Sequence, residues 1–397
     1  MRTTRSAAIA FALLTNVSLF ARGVGPERPV TEPVTHPAAA QQHVAASRDA
    51  YRTLLAWEES APGQLSRVLV HQYEAPSWSL GRQTFTVQSS PHHQRTPVFG
   101  SSMVAWLEDD PGSTATSVWY QPILVSIGKN YEPYNKAEKV GDAARGTRLH
   151  VLNYHVFHTL VWTAPDGRLM AAERSLIARI GFDPTPWYLT TEVAVNPAAD
   201  GYGPSQNGWP LIAYNAEVPG PPCSGNCERL YSVKATVLGA RAPQASILIG
   251  GPGSSAPDVV QTATEYLVFW SMKDDGGTFV QRATTAAGSV IPAGANRRVH
   301  DGQLHDASIA PNNEVVMVVE EGERFLFLRL DRDFNVVESI PFHAQLAGDS
   351  RMRISSSQGN ANPIITYTTV EADGVTPRAV FRLVEDSAAM PKRRSTR

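Results

Sequence analysis

The chain contains little of what would place it in a specialised class of protein. It has only two cysteines in 397 residues, too few for a disulfide-rich scaffold. Its 35 basic and 37 acidic side chains give a formal net charge of −2, so no general attraction to nucleic acid or to an anionic membrane is expected. Beyond the N-terminal segment, no apolar run approaches the ~20 residues of a membrane-spanning helix. We therefore predict a monomer that binds no nucleic acid and has no membrane span in its mature chain.

The short motifs of the common enzyme classes are missing as well. There is no G-x-S-x-G elbow, P-loop, H-E-x-x-H zinc motif, dinucleotide-binding fingerprint or EF-hand loop. A catalytic serine, histidine and aspartate brought together only by folding would leave no such local mark. The sequence therefore names no catalytic residues, and it favours a binding role without deciding whether the protein is an enzyme.

Residues 1–23 have the layout of a signal peptide. Arg2 and Arg5 precede an apolar stretch over residues 7–21, and small residues at Ala21 and Gly23 form a cleavage site. The stretch is too short for a membrane anchor. We therefore predict a secreted protein, whether extracellular, periplasmic or held at the cell surface.

The rest of the chain divides by composition into three parts. Residues 24–46 carry several prolines and no periodic apolar pattern, which predicts a flexible spacer. Residues 47–386 form the folded body, and residues 387–397 form a basic, disordered tail. The two cysteines, Cys223 and Cys227, lie four residues apart within the body. In an exported chain a small disulfide is the simpler reading, and half of a zinc site is the alternative.

One stretch, residues 266–282, recurs in weaker form along the chain. It has an apolar run ending at Trp270, a turn rich in Asp and Gly, and a second strand. Corresponding runs end at Trp57, Trp106, Trp162, Tyr214, Val318 and Tyr367. With Trp270 included, the successive spacings are 49, 56, 52, 56, 48 and 49 residues.

A repeat of about this length, filled with short strands, is typical of four-stranded propeller blades. In the best-preserved copy, the four strands are predicted over residues 256–262, 265–271, 278–283 and 289–295. No helical pattern separates the strands. We therefore predict an all-β fold, a seven-bladed β-propeller of four-stranded antiparallel blades.

The stretches YLVFWSMKDDGGTFVQRATTAAGSVIPAG and MVAWLEDDPGSTATSVWYQPI resemble the repeats of secreted bacterial β-propeller proteins. Those repeats often read as an LVVW strand, a polar turn, a Q-R-V strand and a Gly turn. The resemblance covers residues 50–385, and its motifs specify a blade. It implies a scaffold for ligand binding or for hydrolase and lyase sites, and it does not choose between them.

The predicted turns between the second and third strands are acidic. Asp next to Gly or Pro favours a turn whatever the function, so turn formation is the simpler explanation. Structural calcium or a cationic partner is the alternative, and no other cofactor is predicted. The acidic residues are Glu58, Glu59, Glu108, Asp109, Asp110, Asp166, Asp274, Asp275, Glu320, Glu321, Glu371 and Asp373.

The predicted loops between blades carry basic side chains instead. Such loops surround the mouth of a propeller's channel, where the planar fork of arginine suits carboxylates and sulfates. A neighbouring histidine could act as a general base. The alternative is that these arginines pair with the acidic turns. The candidate ligand-binding residues are His92, Arg95, Arg148, His150, Arg298, His300, His305, Asp306, Arg351 and Arg353.

No metal site is predicted. His150, His155 and His158 lie close in sequence, but strand alternation places His155 on the opposite face from the other two.

Three functions agree with these observations. The first is an exported, non-catalytic module that recognises a glycan or an extracellular protein on its loop face. The second is a carbohydrate-active enzyme, either a polysaccharide lyase or a sialidase-like glycoside hydrolase, acting on an acidic sugar at the central pocket. The third is a structural or adhesive module of the cell surface, which the spacer and the basic tail suggest.

Overall fold

The computed structural model describes residues 22–30, 39–48, 52–74, 79–100, 103–112, 114–124, 132–133, 136–154, 157–175, 185–200, 209–218, 230–239, 241–273, 276–286, 288–310, 313–348, 350–356 and 362–386. The regular structure of these residues consists of β-strands. Within the same ranges, no helix is long and apolar enough to cross a membrane. An all-β fold follows from short apolar runs that alternate with Gly-, Pro- and Asp-containing turns.

The strands form six hydrogen-bonded sheets. Two short strands come first, β1 (Arg22–Val24) and β2 (Arg28–Pro29). The first sheet contains β3 (Ala40–Arg48), β4 (Arg52–Ser60), β5 (Arg67–Glu74) and β6 (Ser79–Thr86). The second contains β7 (His93–Gly100), β8 (Met103–Asp109), β9 (Thr116–Leu124), β10 (Glu132–Pro133) and β11 (Glu138–Ala143). The third contains β12 (His150–Tyr154), β13 (Phe157–Thr163), β14 (Arg168–Ser175), β15 (Trp187–Asp200), β16 (Leu211–Glu217), β17 (Tyr231–Val237) and β18 (Ile247–Gly250).

The remaining strands complete three more sheets. The fourth contains β19 (Ser254–Gln261), β20 (Tyr266–Met272), β21 (Thr278–Ala286) and β22 (Ser289–His300). The fifth contains β23 (Gln303–Ile309), β24 (Val315–Glu321), β25 (Arg324–Leu330) and β26 (Val336–Phe342). The sixth contains β27 (Arg353–Ser355), β28 (Ile364–Val370) and β29 (Pro377–Asp386), and β1 and β2 pair with β29 along its outer edge. All these pairings are antiparallel.

Seven strands contact one another in a closed ring. The order around this ring is β3, β7, β12, β15, β19, β23 and β27, and β27 contacts β3 again. The other strands of each sheet extend outward from these ring strands by successive antiparallel pairing. The fold is therefore propeller-like, with four-stranded antiparallel blades.

The strand after each ring strand carries the apolar run of the repeat. Trp57, Trp106, Trp162 and Trp270 lie on β4, β8, β13 and β20, and all four are buried. Tyr214, Val318 and Tyr367 occupy the same place on β16, β24 and β28 and are also buried. These strands are apolar on both faces because each sheet packs between two neighbours. The residues that mark the predicted repeat therefore lie on equivalent strands, and the predicted strands of the best-preserved copy correspond to β19–β22.

Five ring strands carry a β-bulge near the same point. The register shifts between Gln42 and Ala45 on β3, and equivalent shifts occur on β7, β15, β19 and β23. Three of the bulges hold a residue with positive φ, namely His43 at 52°, Thr96 at 50° and Asn196 at 52°. A bulge turns a side chain away from the regular alternation of the strand. Proline follows Thr96 and Asn196. It is tolerated because β7 is the edge of its sheet and because the second half of β15 pairs only with β16.

The boundaries between sheets differ from the predicted ones at two places. The third sheet contains seven strands, because β15 pairs with β14 through its first half and with β16 through its second half. Parts of the predicted spacer, residues 24–46, lie in β1, β2 and β3. Short edge strands need no periodic apolar pattern, which is why the sequence suggested a spacer here. The predicted disulfide and the basic tail lie outside the described residues, as do residues 1–21 of the signal peptide.

Candidate functional site

Charged side chains on or next to four ring strands lie close to one another. We call them the axial cluster. Its members are Arg148 and His150 at β12, Asp258 on β19, Asp306 on β23, and Arg351 and Arg353 at β27. Arg148 lies close enough to His150, Asp306 and Arg351 to shift the pKa of each. The ring therefore brings together residues that are more than 200 positions apart in the sequence.

The two aspartates of the axial cluster join neighbouring ring strands. Asp258 Oδ2 accepts the backbone N–H of Ala307 at 2.7 Å, and Asp306 Oδ2 accepts that of Ile354 at 2.8 Å. Burial raises the pKa of Asp306 well above its usual value, and the nearby Asp258 carboxyl group raises it further. Both aspartates thus hold the ring together.

The arginines of the axial cluster are only partly neutralised. Arg353 Nη1 lies 3.3 Å from Asp306 Oδ1. Arg351 Nη2 donates to the backbone carbonyls of Leu304 and His305, each at 2.8 Å. Burial lowers the pKa of Arg351 to about 10, and the positive charge of Arg148 lowers it further.

Arg148 differs from the other two arginines in its contacts. Its half-buried side chain makes no hydrogen bond or ion pair with any described residue. With three arginines and at most two carboxylates, the axial cluster keeps at least one net positive charge, whatever the protonation of Asp306.

His150 contributes a neutral ring to this cluster. Its Nε2 lies 2.7 Å from the backbone carbonyl of Ala199, which assigns the proton to Nε2. Burial lowers the pKa of His150 to about 4, and the positive charge of Arg148 adds to this effect. His150 is therefore uncharged near neutral pH, and its Nδ1 is an acceptor.

A cavity of about 660 Å³ lies beside the axial cluster. It is bordered by the fourth and fifth sheets and by the segment that leads to β27, and Arg351 belongs to both the cavity wall and the axial cluster. Polar side chains dominate the wall, with Phe325 as its one aromatic ring. The lining residues are Ser255, Ser271, Gln303, Leu304, His305, Glu320, Glu323, Phe325, Ala344, Gln345, Leu346, Gly348, Ser350 and Arg351.

His305 fixes one wall of this cavity. Its Nδ1 accepts the backbone N–H of Met352 at 3.1 Å, and its Nε2 donates to Glu320 Oε2 at 3.0 Å. Burial lowers the pKa of this ring. Because both nitrogens are engaged, His305 orients Glu320 and has no lone pair free to accept a proton. The Glu320 side chain is 42% exposed, so it can meet a ligand.

The structure brings together six of the ten predicted site residues and separates the other four. Arg148, His150, His305, Asp306, Arg351 and Arg353 belong to the axial cluster or to the cavity wall. Arg95 pairs with Asp109 at 3.3 Å, and His92 lies 4.0 Å from Asp110, as the ion-pair alternative anticipates.

Arg298 and His300 lie on the outer strand β22, away from the ring. Arg298 is exposed and pairs with Asp301 at 3.0 Å. The strand continues five residues beyond its predicted end at residue 295, so these two residues stay in the blade. Their predicted position near the axis is wrong for this reason.

Sequence reasoning missed Asp258 and treated Glu320 only as a turn residue. A signal for Asp258 was available, because it precedes Asp306 by 48 residues, which is one repeat. No group of three or more His, Cys, Asp or Glu side chains in the described part of the chain could hold a metal ion. His155 lies outside the described residues, whereas His158 is buried on β13.

The fold and this site define a propeller-like protein with an electropositive axis next to a polar cavity. No protein-family model matches the chain, and no curated protein matches it. A polysaccharide lyase, an ulvan lyase of a new family, has a similar structure, with a TM-score of 0.50, 9% identity, and coverage of 92% of this chain and 94% of that chain.

Two further solved structures have lower TM-scores. A prolyl endopeptidase gives 0.49 at 13% identity over 88% of this chain, which spans only 48% of that chain. The β-propeller domain of the Trilobed protease from Pyrococcus furiosus gives 0.47 at 10% identity, over 87% of this chain and 95% of that chain. At such identities the likeness concerns the fold alone.

Proposed function

We propose that the protein is an exported, seven-bladed propeller that binds a carboxylate-bearing glycan where the axial cluster meets the cavity. The number of blades is inferred from the ring of seven contacting strands. In this interpretation the seven-stranded third sheet comprises two blades that share β15.

One observation carries the binding function: Arg148 and Arg351 are close together, and neither forms a direct ion pair or hydrogen bond with a carboxylate among the described residues. Two like charges held together in a partly buried site raise the free energy of the empty protein. A carboxylate ligand would relieve that repulsion and accept charge-assisted hydrogen bonds. An anionic group is therefore the ligand chemistry that this site favours.

The neighbouring cavity supports a sugar as the body of the ligand. Its volume of about 660 Å³ falls within the range of ordinary small-molecule sites, ~300–1,000 Å³. Its serine, glutamine and glutamate side chains offer donors and acceptors for hydroxyl groups. Phe325 adds one apolar surface against which a sugar ring can pack.

The aspartate pair does not favour glycoside hydrolysis. Glycosidases separate their two carboxyl groups by roughly 5–9.5 Å. Asp258 and Asp306 are close enough to share a hydrogen bond, and each is engaged with a backbone N–H. Binding is therefore better supported than hydrolysis at this site.

The test is calorimetric titration with polygalacturonate, alginate and a neutral glucan. We expect the two polyuronides to bind and the neutral polymer to bind at least tenfold more weakly. Replacing Arg148 by Ala removes one charge-assisted contact, worth about 1.5–3 kcal/mol, and weakens binding by roughly 10–150-fold. Arg351→Lys keeps the charge but loses the fork geometry, so it weakens binding less.

Arg168→Ala is the matched control, because Arg168 forms an exposed pair with Asp166 at 2.6 Å and is not part of the site. This variant should bind like the wild type. Equal binding of charged and neutral polymers, or unchanged affinity in Arg148→Ala, would contradict the proposed site.

Export and the disulfide are proposed on the sequence alone. The first described strand begins at Arg22, two residues inside the predicted signal peptide of residues 1–23, so we now propose cleavage at or before Arg22 in place of the predicted boundary. N-terminal sequencing of the secreted protein checks this position. Alkylation of Cys223 and Cys227 without reductant would contradict the disulfide.

A further inference from the structure

A second histidine–glutamate pair lies on the first sheet, outside the site described above. His43 Nδ1 is 2.8 Å from Glu58 Oε2, and Gln42 Nε2 donates to Glu58 Oε1 at 3.0 Å. The Glu58 side chain is only 3% exposed, whereas that of His43 is 49% exposed. A buried carboxylate therefore orients a solvent-accessible imidazole.

This contact fixes which nitrogen of His43 is reactive. A carboxylate accepts hydrogen bonds, so the proton of the neutral ring lies on Nδ1. The lone pair of Nε2 then points outward, and no described residue donates to it. A base held by a carboxylate, with its second nitrogen open, is the arrangement that general-base catalysis requires.

The fifth sheet holds a matching pair that serves as an internal comparison. His305 precedes Glu320 by 15 residues, and His43 precedes Glu58 by the same 15. His305 is buried and uses both nitrogens, as described above. In the fifth sheet both ring nitrogens of the histidine are therefore hydrogen-bonded within the protein. In the first sheet only Nδ1 of His43 is bonded, and Nε2 remains available to a ligand.

The bulge of β3 accounts for the orientation of His43. Its φ of 52° lies in the left-handed region, and Thr96 and Asn196 have the same conformation at the corresponding bulges. The strain is therefore a property of the repeated bulge and not of His43 alone. In the first sheet the bulge happens to direct an imidazole outward.

Two hydrogen bonds connect the main chain of His43 to a residue of the cavity wall. Its backbone N–H donates to Thr368 Oγ1 at 3.2 Å, and the backbone N–H of Thr368 donates to Ser350 Oγ at 3.3 Å. Ser350 lines the cavity and directly precedes Arg351. His43 lies on the ring strand β3, and Ser350 precedes the ring strand β27. These two strands are also in contact.

We propose that His43, positioned by Glu58, is a general base that removes a proton from a uronate unit of the glycan. This inference rests on the proposed binding of that glycan by Arg148 and Arg351. The arginines neutralise the carboxylate, which makes the hydrogen on the adjacent carbon more acidic. Nε2 of His43 takes that proton as the C–H bond breaks, and the electron pair forms a double bond to the next carbon. The bond from that carbon to the glycosidic oxygen breaks, and the departing oxygen takes a proton from water.

The experiment measures binding and cleavage separately on the same polyuronides. Cleavage gives a carbon–carbon double bond conjugated with the carboxylate, which is followed by its ultraviolet absorbance. We expect His43→Gln to bind normally and to lose about 10²–10⁴-fold in turnover. Glu58→Gln, which only misplaces the base, should lower kcat by about 10–100-fold with little change in KM. Arg168→Ala, the control used for binding, should leave both unchanged.

A chemical readout tests the open nitrogen without any substrate. Diethyl pyrocarbonate should modify His43 faster than the buried His71, His158 and His305, and Glu58→Gln should slow that reaction. Binding without cleavage by the wild type, or full turnover in His43→Gln, would overturn the general base while leaving the binding site intact. Absence of polyuronide binding would overturn the proposed function, and the base with it.

Discussion

Arg148 contributes a charge to the axial cluster without a direct partner. Its charge lies near that of Arg351 and also near the Asp306 carboxyl group, but its side chain forms no hydrogen bond or ion pair with any described residue. A charged side chain without a direct partner is a common property of binding sites. This separates Arg148 from Arg351, which also holds two backbone carbonyls in place.

The two arginines should therefore respond differently to removal. Arg148→Ala is expected to change the free energy of unfolding little, because it removes a repulsion from Arg351 together with an attraction to Asp306 and breaks no hydrogen bond. Arg351→Ala is expected to lower it by about 1.5–3 kcal/mol, because two charge-assisted bonds are lost. Urea unfolding of both variants measures the difference. Destabilisation of equal size in both would show that Arg148 has a structural partner.

His158 makes the stability of the protein depend on pH. It is fully buried on β13, and burial lowers its pKa from 6.5 to about 4, with the charge of Arg174 adding to the shift. Between these values the unfolded chain binds a proton that the folded chain does not. The free energy of unfolding should thus fall as the pH drops from 6.5 to about 4, by at most about 1.4 kcal/mol per pH unit for this group.

The comparison of two variants isolates that contribution. His158→Gln should flatten the acid-side slope of a plot of unfolding free energy against pH, even if its stability at neutral pH is lower. His343→Gln, at an exposed position, should keep the wild-type slope. Asp306 has the opposite effect on the free energy of unfolding. Its pKa is raised in the folded protein, so the stability that it contributes is present at low pH and is lost as the pH rises through that pKa. An unchanged slope in His158→Gln would contradict the assignment.

Among the elements, β1 and β2 depend on one polar network for their position. Tyr367 on β28 donates to Glu27 Oε2 at 2.6 Å and accepts from Arg382 Nε at 2.6 Å. Arg382 also donates to the backbone carbonyl of Gly25. The network joins the segment between β1 and β2 to the centre of the sixth sheet.

Tyr367→Phe removes the hydroxyl and leaves a buried arginine nitrogen without that acceptor. The expected loss is about 1–3 kcal/mol of unfolding free energy, measured by urea denaturation. Tyr188→Phe removes an exposed hydroxyl that donates to Asp166, and it should cost no more than about 0.5 kcal/mol. Equal losses in the two variants would mean that the network contributes nothing beyond a surface contact.

Some elements were predictable from the sequence and others were not, for a physical reason. The second strand of each blade is buried on both faces, so Trp57, Trp106 and Trp270 mark it clearly. Outer strands are exposed and need no apolar pattern, and most residues of β22 are exposed in this way. The sequence therefore does not show where such strands end. The same reason hid β1 and β2 in a segment that reads as a spacer.

The position of the candidate site could be predicted from the sequence only in part. Arginines and histidines on loops indicated an anion site, and Arg148, Arg351 and Arg353 do meet. Whether a charged side chain finds a partner of opposite charge depends on which strands become neighbours in the ring. No local sequence pattern encodes that arrangement. Asp258 and Glu58 were therefore missed or assigned to turns, and Arg298 was placed too near the axis.

At the level of the whole molecule, closure of the ring joins the two ends of the described chain. β1 and β2 occupy the outer edge of the sixth sheet, and β29 presents its backbone to them. Val30 is fully buried in a core cluster with Leu55 and Trp57 of the first sheet, and Tyr73 donates to its carbonyl at 2.7 Å. The segment therefore connects the sixth sheet to the first.

Deleting residues 1–30 should open this connection. The backbone groups of β29 lose their partners, and apolar surface of the cluster around Trp57 becomes exposed. We expect a lower Tm and faster amide hydrogen exchange in β28, β29 and β4, with β20 on the far side of the ring unchanged. Deleting residues 387–397 removes 11 residues, a length close to that of the nine described residues 22–30, and should alter neither quantity. Exchange that rises evenly in all sheets, or in none, would contradict closure of the ring by the N-terminal strands.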